Sequence, residues 1–456
     1  MKPYAVPASL TILVVLLLVA GCTTQSGSMS PATMAVPGVS PAAGTSDLKQ
    51  VTTDGNASLY RVGNISVIRL EGTYREMGQQ YGRLMGKDIA NMYDTVVASV
   101  GQPGFIIGIQ SENQLINYSM QQYSYYPQRY REIVEGISES SGVPVSHIVV
   151  IDQLVPSFTN YPQTDMTQEQ IYAFLEGKID TIPGDKSDLF ISDYCSSITV
   201  WGNYTGGGPL VMGRNFDFGQ AYRNFDPYLT VVVYNPTDGS VPTAVLGWPG
   251  TVGGIEAFNS AGLVMETNDN SYVTNPNNEI HHNRIPLTLL VLGLFMDSST
   301  FEQFDAAMNT ARFGYPLLAN VATPKEGYTY EIGTQDVVRR GDTNYGMQVI
   351  ANFPIDPYWN EPANLTDLQT GISLSRRANL LNLGEKYKGS INTTIMEKIL
   401  DTRYSDGGAS FETGPQGSSV TVYQFVYVPE TRTLIVKSPT YDNWTTVELA
   451  PLFHNE

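Results

Sequence analysis

The sequence changes character at Cys195, and that change limits the folds open to it. Upstream, apolar residues recur at helical spacing. After a short strand at 66–71, Met77, Tyr81, Leu84, Met85, Ile89 and Met92 predict a helix over 74–100. Further helices are expected at 110–125, 130–140, 146–154 and 168–179, followed by a polar turn at 183–188. Downstream, 195–201, 209–215, 228–234, 243–248 and 262–268 read as strands separated by Gly, Pro and Asn turns, with 203–208 closing the first hairpin. The apolar helix at 285–296 is too short to span a bilayer and reads as core, and 301–312 continues that layer. Strands return over 316–350, helices over 374–387 and 394–402, and strands at 419–428, 433–438 and 444–449. No repeat at solenoid periods is present. Blocks of helices and blocks of strands predict a layered α+β domain.

Composition removes several functions. The 456 residues hold two cysteines and four histidines, too few for a disulfide-stapled scaffold or a structural zinc module. Forty-four acids against 26 bases give a net charge of −18, which repels nucleic acid. Charged residues make up 15% of the chain, below the usual ~25%, as in a secreted protein with a polar, weakly charged surface.

The N-terminus carries an address. Lys2 precedes an apolar run from Ala8 to Ala20, shorter than a membrane span, that ends in Val19-Ala20-Gly21-Cys22. This resembles a prokaryotic lipobox, with 1–21 as signal peptide and Cys22 as the lipidated first residue; a signal anchor and an ordinary cleaved signal are the other readings. Residues 22–50 read as a flexible tether, with no charge over 23–45. Seven Asn-x-Ser/Thr sequons permit glycosylation without establishing it.

With Cys22 lipidated, Cys195 is the only thiol left, and such a cysteine is either a nucleophile or an inert buried thiol. A tight hairpin returns Gly213-Arg214-Asn215-Phe216-Asp217-Phe218 beside the start of the first strand, so Arg214 and Asp217 should lie near the thiol. No histidine neighbours it in sequence. A free α-amine, with a reference pKa of about 7.7–8.0, could serve as base if the backbone were cut between Tyr194 and Cys195. An arginine nearby favours the thiolate.

These residues resemble the N-terminal-nucleophile (Ntn) hydrolases, in particular the peptidase C45 or acyl-coenzyme A:6-aminopenicillanate acyltransferase group, related to choloylglycine hydrolase, penicillin V acylase and acid ceramidase. The matching features are Asp193-Tyr194-Cys195-Ser196, Gly213 to Phe218, and the propeptide-like Gly72-Thr73-Tyr74-Arg75-Glu76-Met77-Gly78 with Tyr81-Gly82. The likeness runs over most of 66–450. It implies a four-layer αββα sandwich, with 51–194 as a helical propeptide or α chain and 195–456 as a β chain opening on the nucleophile. It also implies that Asn268, at the end of a Gly-Leu strand, and Asn352, in Ala351-Asn352-Phe353, serve the oxyanion hole. Arg376, in Ser375-Arg376-Arg377, would lie in the active site. Two departures stand out: Tyr194 occupies a position often held by Gly, and Phe353 one often held by His.

With the lipobox and the composition, the resemblance implies an exported, self-processing enzyme that hydrolyses linear amide C–N bonds of small N-acyl substrates: the lipobox tethers it to the membrane by lipid, and the acidic charge and scarce Cys and His argue against nucleic acid and metal, with no cofactor expected. Acyl transfer, phospholipase-B-like ester cleavage, a non-catalytic binding lipoprotein and a Cys-His hydrolase are the alternatives. His281-His282 reads as an exposed loop, lone His147 as structural, and Tyr123, Tyr125, Tyr126 and Tyr130 as packing or surface aromatics.

Overall fold

A computed structural model describes residues 48–102, 104–105, 109, 111–154, 181–182, 195–270, 276–277, 279–341, 346–359, 368–412 and 419–453. The helix expected at 168–179, the turn at 183–188, Cys22 and Tyr194 lie outside them. All described residues belong to one compact unit, Ser46–Glu456.

The first strands are β1 (Lys49–Asp54), β2 (Ala57–Val62) and β3 (Ile65–Gly72). β1 begins inside the stretch read as tether. It is recruited by a hairpin turning at Gly55, whose φ of +59° suits glycine.

Helix α1 (Tyr74–Ser99) starts in a capping box. The Thr73 hydroxyl accepts from the Glu76 amide, and the Thr73 amide donates to the Glu76 carboxylate at 2.8 Å. Helices α2 (Glu112–Tyr123), α3 (Gln128–Ser141) and α4 (Val145–Asp152) follow. The glycine spacing of α1 has a packing cause. A Cβ on Gly78 would sit 2.2 Å from the Ile133 carbonyl oxygen, and one on Gly136 would sit 2.4 Å from that of Arg75. The backbones of α1 and α3 meet at these positions.

The remaining elements are β4 (Thr181–Ile182), β5 (Ser196–Val200), β6 (Val211–Gly219), β7 (Thr230–Pro236), β8 (Thr243–Gly247), β9 (Glu256–Asn259), β10 (Val264–Asp269), β11 (Ile280–His281), α5 (Leu287–Met296), α6 (Phe301–Thr310), β12 (Leu317–Ala322), β13 (Gly327–Ile332), β14 (Val337–Arg339), β15 (Met347–Ile350), α7 (Leu368–Lys386), α8 (Thr393–Asp401), β16 (Ser419–Val428), β17 (Thr433–Lys437) and β18 (Thr445–Glu448). A 3-10 segment, Gln220–Tyr228, follows β6 where the sequence reading had only a turn.

The larger sheet runs β1-β2-β3-β7-β8-β9-β10-β12-β13-β14, and the second runs β15-β5-β6-β16-β17-β18. The pairs are antiparallel except β3 with β7. Helices α1 and α5 cover the larger sheet, and α7 and α8 cover the second. The sheets face each other through Phe258 against Phe425 (5.5 Å) and Tyr427 (4.7 Å). The expected αββα layering is therefore met. No described helix is long and apolar enough to cross a membrane.

Tyr126 and Tyr130 are core residues, and His147 stacks on Tyr93 at 3.6 Å. One expectation is corrected. His282 is not in an exposed loop: it is buried, with Nδ1 3.0 Å from the Tyr118 hydroxyl, and burial pushes its pKa down to about 3. His281 pairs with Thr181 in the β11–β4 ladder and is only partly buried, while His282 lies just past it.

Candidate active site

Alternation along β6 builds the site. Successive side chains of a strand point to opposite faces. Arg214 therefore faces the larger sheet, while Asp217 faces the helix layer of α7. Cys195 stands immediately before β5, the antiparallel neighbour of β6, and meets both groups. Arg214 Nη2 lies 3.5 Å from Cys195 Sγ, and the thiol donates to the Asp217 carbonyl at 3.6 Å.

On the inner face, Arg214 sits between two glutamates. Its Nη1 donates to Glu256, its Nε is 3.2 Å from Glu266 Oε2, and its Nη2 donates to the Thr267 carbonyl at 2.6 Å. Glu256 and Glu266 are directly opposed in the β9–β10 ladder. Like charges so placed repel, and the guanidinium between them offsets that. Tyr423 donates to Glu256 at 2.7 Å, and Ser197 donates to Glu266. Arg214, Glu256 and Glu266 are all 0% exposed, so each charge depends on these partners. Burial works against the Arg214 charge, but the Cys195 sulfur and Glu266 outweigh it and its pKa is raised. Burial also pushes Glu266 up, against Arg214 and Ser197.

On the outer face, Arg376 of α7 forms an ion pair with Asp217. It also donates to the Cys195 carbonyl (3.4 Å), the Ser196 hydroxyl (3.0 Å) and the Ala409 carbonyl (2.8 Å). Thr421 donates to the other Asp217 oxygen. Burial lifts the Asp217 pKa to about 6, with Arg376 and Thr421 pulling it down.

A β-bulge lets one strand serve both faces. The β6–β16 register slips between Thr421 and Tyr423, which pair with Asp217 and Phe216 respectively. Two residues apart, they would share a face in regular pleat. The extra residue sends Thr421 to Asp217 and Tyr423 to Glu256.

Of the residues singled out in the sequence, Cys195, Arg214, Asp217 and Arg376 thus converge. The Asn268 amide, with its nitrogen towards the available acceptors, donates to Glu266 Oε2 at 2.8 Å and the Thr267 carbonyl at 3.2 Å. Asn352 donates to the Asp269 carbonyl at 3.0 Å. Asn268 lies near the end of β10 and Asn352, just beyond β15, reaches the last residue of β10, with both amide nitrogens engaged by the protein. Glu256, Glu266, Thr421 and Tyr423 went unnoticed in the sequence. The detectable signs were the lone carboxylates inside the apolar runs Ile255-Glu256-Ala257-Phe258 and Leu263-Val264-Met265-Glu266.

The described histidines lie against other partners: His147 on Tyr93, His282 at Tyr118, and His281 3.4 Å from Gln335. Among the described residues no cluster fits a metal ion.

No family model matches the chain, and no curated protein matches it by sequence. Solved structures do. A mutant of the conjugated bile acid hydrolase from Clostridium perfringens is 13% identical at a TM-score of 0.42, over 57% of this chain and 95% of that one. An N-acylethanolamine-hydrolyzing acid amidase ortholog from Caenorhabditis elegans is 17% identical at 0.37, over 56% and 100%. The chain is likewise similar to penicillin V acylase from Agrobacterium tumefaciens, 13% identical at a TM-score of 0.39, over 57% and 88%.

Proposed function

We propose that the protein is an Ntn amidohydrolase that cleaves N-acyl amides through Cys195. The observation carrying this reading is a buried thiol held between a guanidinium and a carbonyl, beside a second Arg–Asp pair. A cysteine hydrolase of the papain type needs an imidazole at the sulfur. The described histidines are engaged elsewhere, so the base is assigned to the α-amine that Cys195 gains on cleavage.

The precursor step is intramolecular. Sγ attacks the Tyr194 carbonyl, the C–N bond breaks, and water resolves the thioester to a Tyr194 carboxylate and a Cys195 amine. In the mature enzyme the amine takes the thiol proton as sulfur attacks the substrate carbonyl. The resulting ammonium protonates the leaving amine, and water hydrolyses the acyl-enzyme. Arg214 favours the thiolate. Asp217, fixed by Arg376 and Thr421, holds the ammonium. Asn268 and Asn352 reorient from their present acceptors towards the oxyanion. The same reading includes export and a lipid on Cys22.

Intact mass spectrometry with N-terminal sequencing tests this. Two chains, the second starting at Cys195, are expected, with Cys195→Ala left uncut and a lipid mass on the fragment starting at Cys22. A single intact chain that hydrolyses amides would falsify the free-amine mechanism.

A further inference from the structure

We propose a second site, for a small oxyanion, in a cavity of about 300 Å³ on the outer face of the second sheet. That volume is at the lower end for small-molecule sites. Its walls include Arg223 of the 3-10 segment, Arg403 beyond α8 and Lys437 of β17. Three cations on one cavity are notable in a chain of net charge −18.

Two of them already have carboxylates: Lys437 pairs with Asp401 at 2.6 Å and Arg403 with Glu412 at 2.7 Å. Arg223 does not. Its Nη2 donates only to the Glu412 carbonyl at 2.7 Å, and its Nε is buried with no hydrogen-bond partner among the described residues. Asp226 is close enough for Arg223 to act on its carboxyl; Thr440 donates to its Oδ2, its Oδ1 is buried without a hydrogen-bond partner among the described residues, and it forms no ion pair with Arg223. A buried guanidinium N–H without an acceptor costs free energy, and the fork geometry suits carboxylate or phosphate.

The cavity also abuts the catalytic layer. Thr421 lines it and donates to Asp217. Phe411 lines it and lies under the Arg376 guanidinium, 4.8 Å from ring centroid to carbon. The cavity thus shares a wall with both residues that support the Asp217–Arg376 pair. This coupling rests on the amidohydrolase reading; the binding itself does not. The oxyanion has two possible sources, an acidic group on the substrate's amine portion or a free anion acting from the side.

Isothermal titration of the full-length protein with inorganic phosphate, and separately with acetate, tests the site. Saturable binding is expected, weakened about tenfold or more by Arg223→Gln. Arg223→Lys, which keeps charge but loses the fork, should fall between them. Arg75→Gln, at a surface pair distant in the fold, should bind as the parent does. The absence of saturable binding, or equal binding by Arg223→Gln, overturns the proposal. Kinetics then separate the sources, using N-dodecanoylglycine and the neutral N-dodecanoylethanolamine. If the substrate supplies the anion, Arg223→Gln raises KM for the glycine amide alone, and phosphate competes with it. If a free anion does, phosphate changes both rates alike, and Arg223→Gln abolishes the change. Arg223-dependent phosphate binding without amide cleavage sustains the cavity and overturns the enzyme reading. Amide cleavage with Arg223→Gln unchanged in every assay does the reverse.

Discussion

The two faces of β6 hold their arginines differently. On the inner face one guanidinium serves two carboxylates, Glu256 and Glu266, and points its remaining edge at sulfur. On the outer face Arg376 serves one carboxylate, Asp217, and spends its other donors on the Cys195 carbonyl, the Ser196 hydroxyl and the Ala409 carbonyl. In the proposed mechanism the first arrangement fixes a cation where a thiolate would form, and the second an anion where an ammonium would form. The excess carboxylate inside also means that Arg214 is irreplaceable there, whereas the outer pair is self-contained.

That contrast can be broken by substitution. Arg214→Met strands two buried carboxylates at once and is expected to cost more than the ~3–5 kcal/mol typical of breaking one buried pair; chemical denaturation or failure to express a soluble chain reads this. Arg376→Met strands Asp217 alone and should fall within that range. The double variant Arg376→Met, Asp217→Leu should recover most of the loss, because both charges are gone; no recovery would mean the outer pair is not self-contained. Tyr423→Phe removes one hydrogen bond to Glu256 and should cost about 1–2 kcal/mol. It should also slow iodoacetamide alkylation of Cys195 at neutral pH, since the Glu256 oxygen that Tyr423 and Arg214 share is then left to Arg214 and draws its charge away from the sulfur.

The smallest effects are on pH. Asp217 carries a folded-state pKa raised to about 6, so its charged form is lost as pH falls through that value, and hydrolysis should fail on the same limb. Thr421→Val deletes a bond that lowers this pKa, so the limb should move up by about one pH unit. The stability sign is opposite. The folded state binds the Asp217 proton more tightly than the unfolded chain, so stability drains as pH rises from about 4 to about 6. Asp217→Asn should flatten that slope in urea titrations at successive pH values.

Much of the outer pair and the thiol was legible in the sequence. Arg214 and Asp217 sit where a hairpin must return, while Arg376, which lies well inside α7, was reached only through the family resemblance. Glu256 was hidden because β9 is four residues long and follows a glycine-rich turn, leaving too little alternation to reveal a strand, whereas Glu266 sits in the strand expected at 262–268 and only its partner Arg214 was missing from the reading. Thr421 and Tyr423 were hidden by the bulge, since period-two reading assigns them to one face. His282 was misread because a histidine pair looks polar until a distant tyrosine, Tyr118, accounts for it. Local pattern carries strand and helix well, but cross-sheet partners 42 and 167 residues apart leave little local trace.

The lone parallel pairing has a mechanical consequence. β3 runs beside β7 from Ser66–Thr230 to Gly72–Pro236, so a strand from before Cys195 is woven into a sheet made largely from after it. The proposed cut between Tyr194 and Cys195 would leave two polypeptides that share one hydrogen-bonded fabric. Separating them means tearing that fabric, not undocking a surface. Their lifetime together should be set by an unfolding rate and be insensitive to dilution, in contrast to subunits that exchange freely.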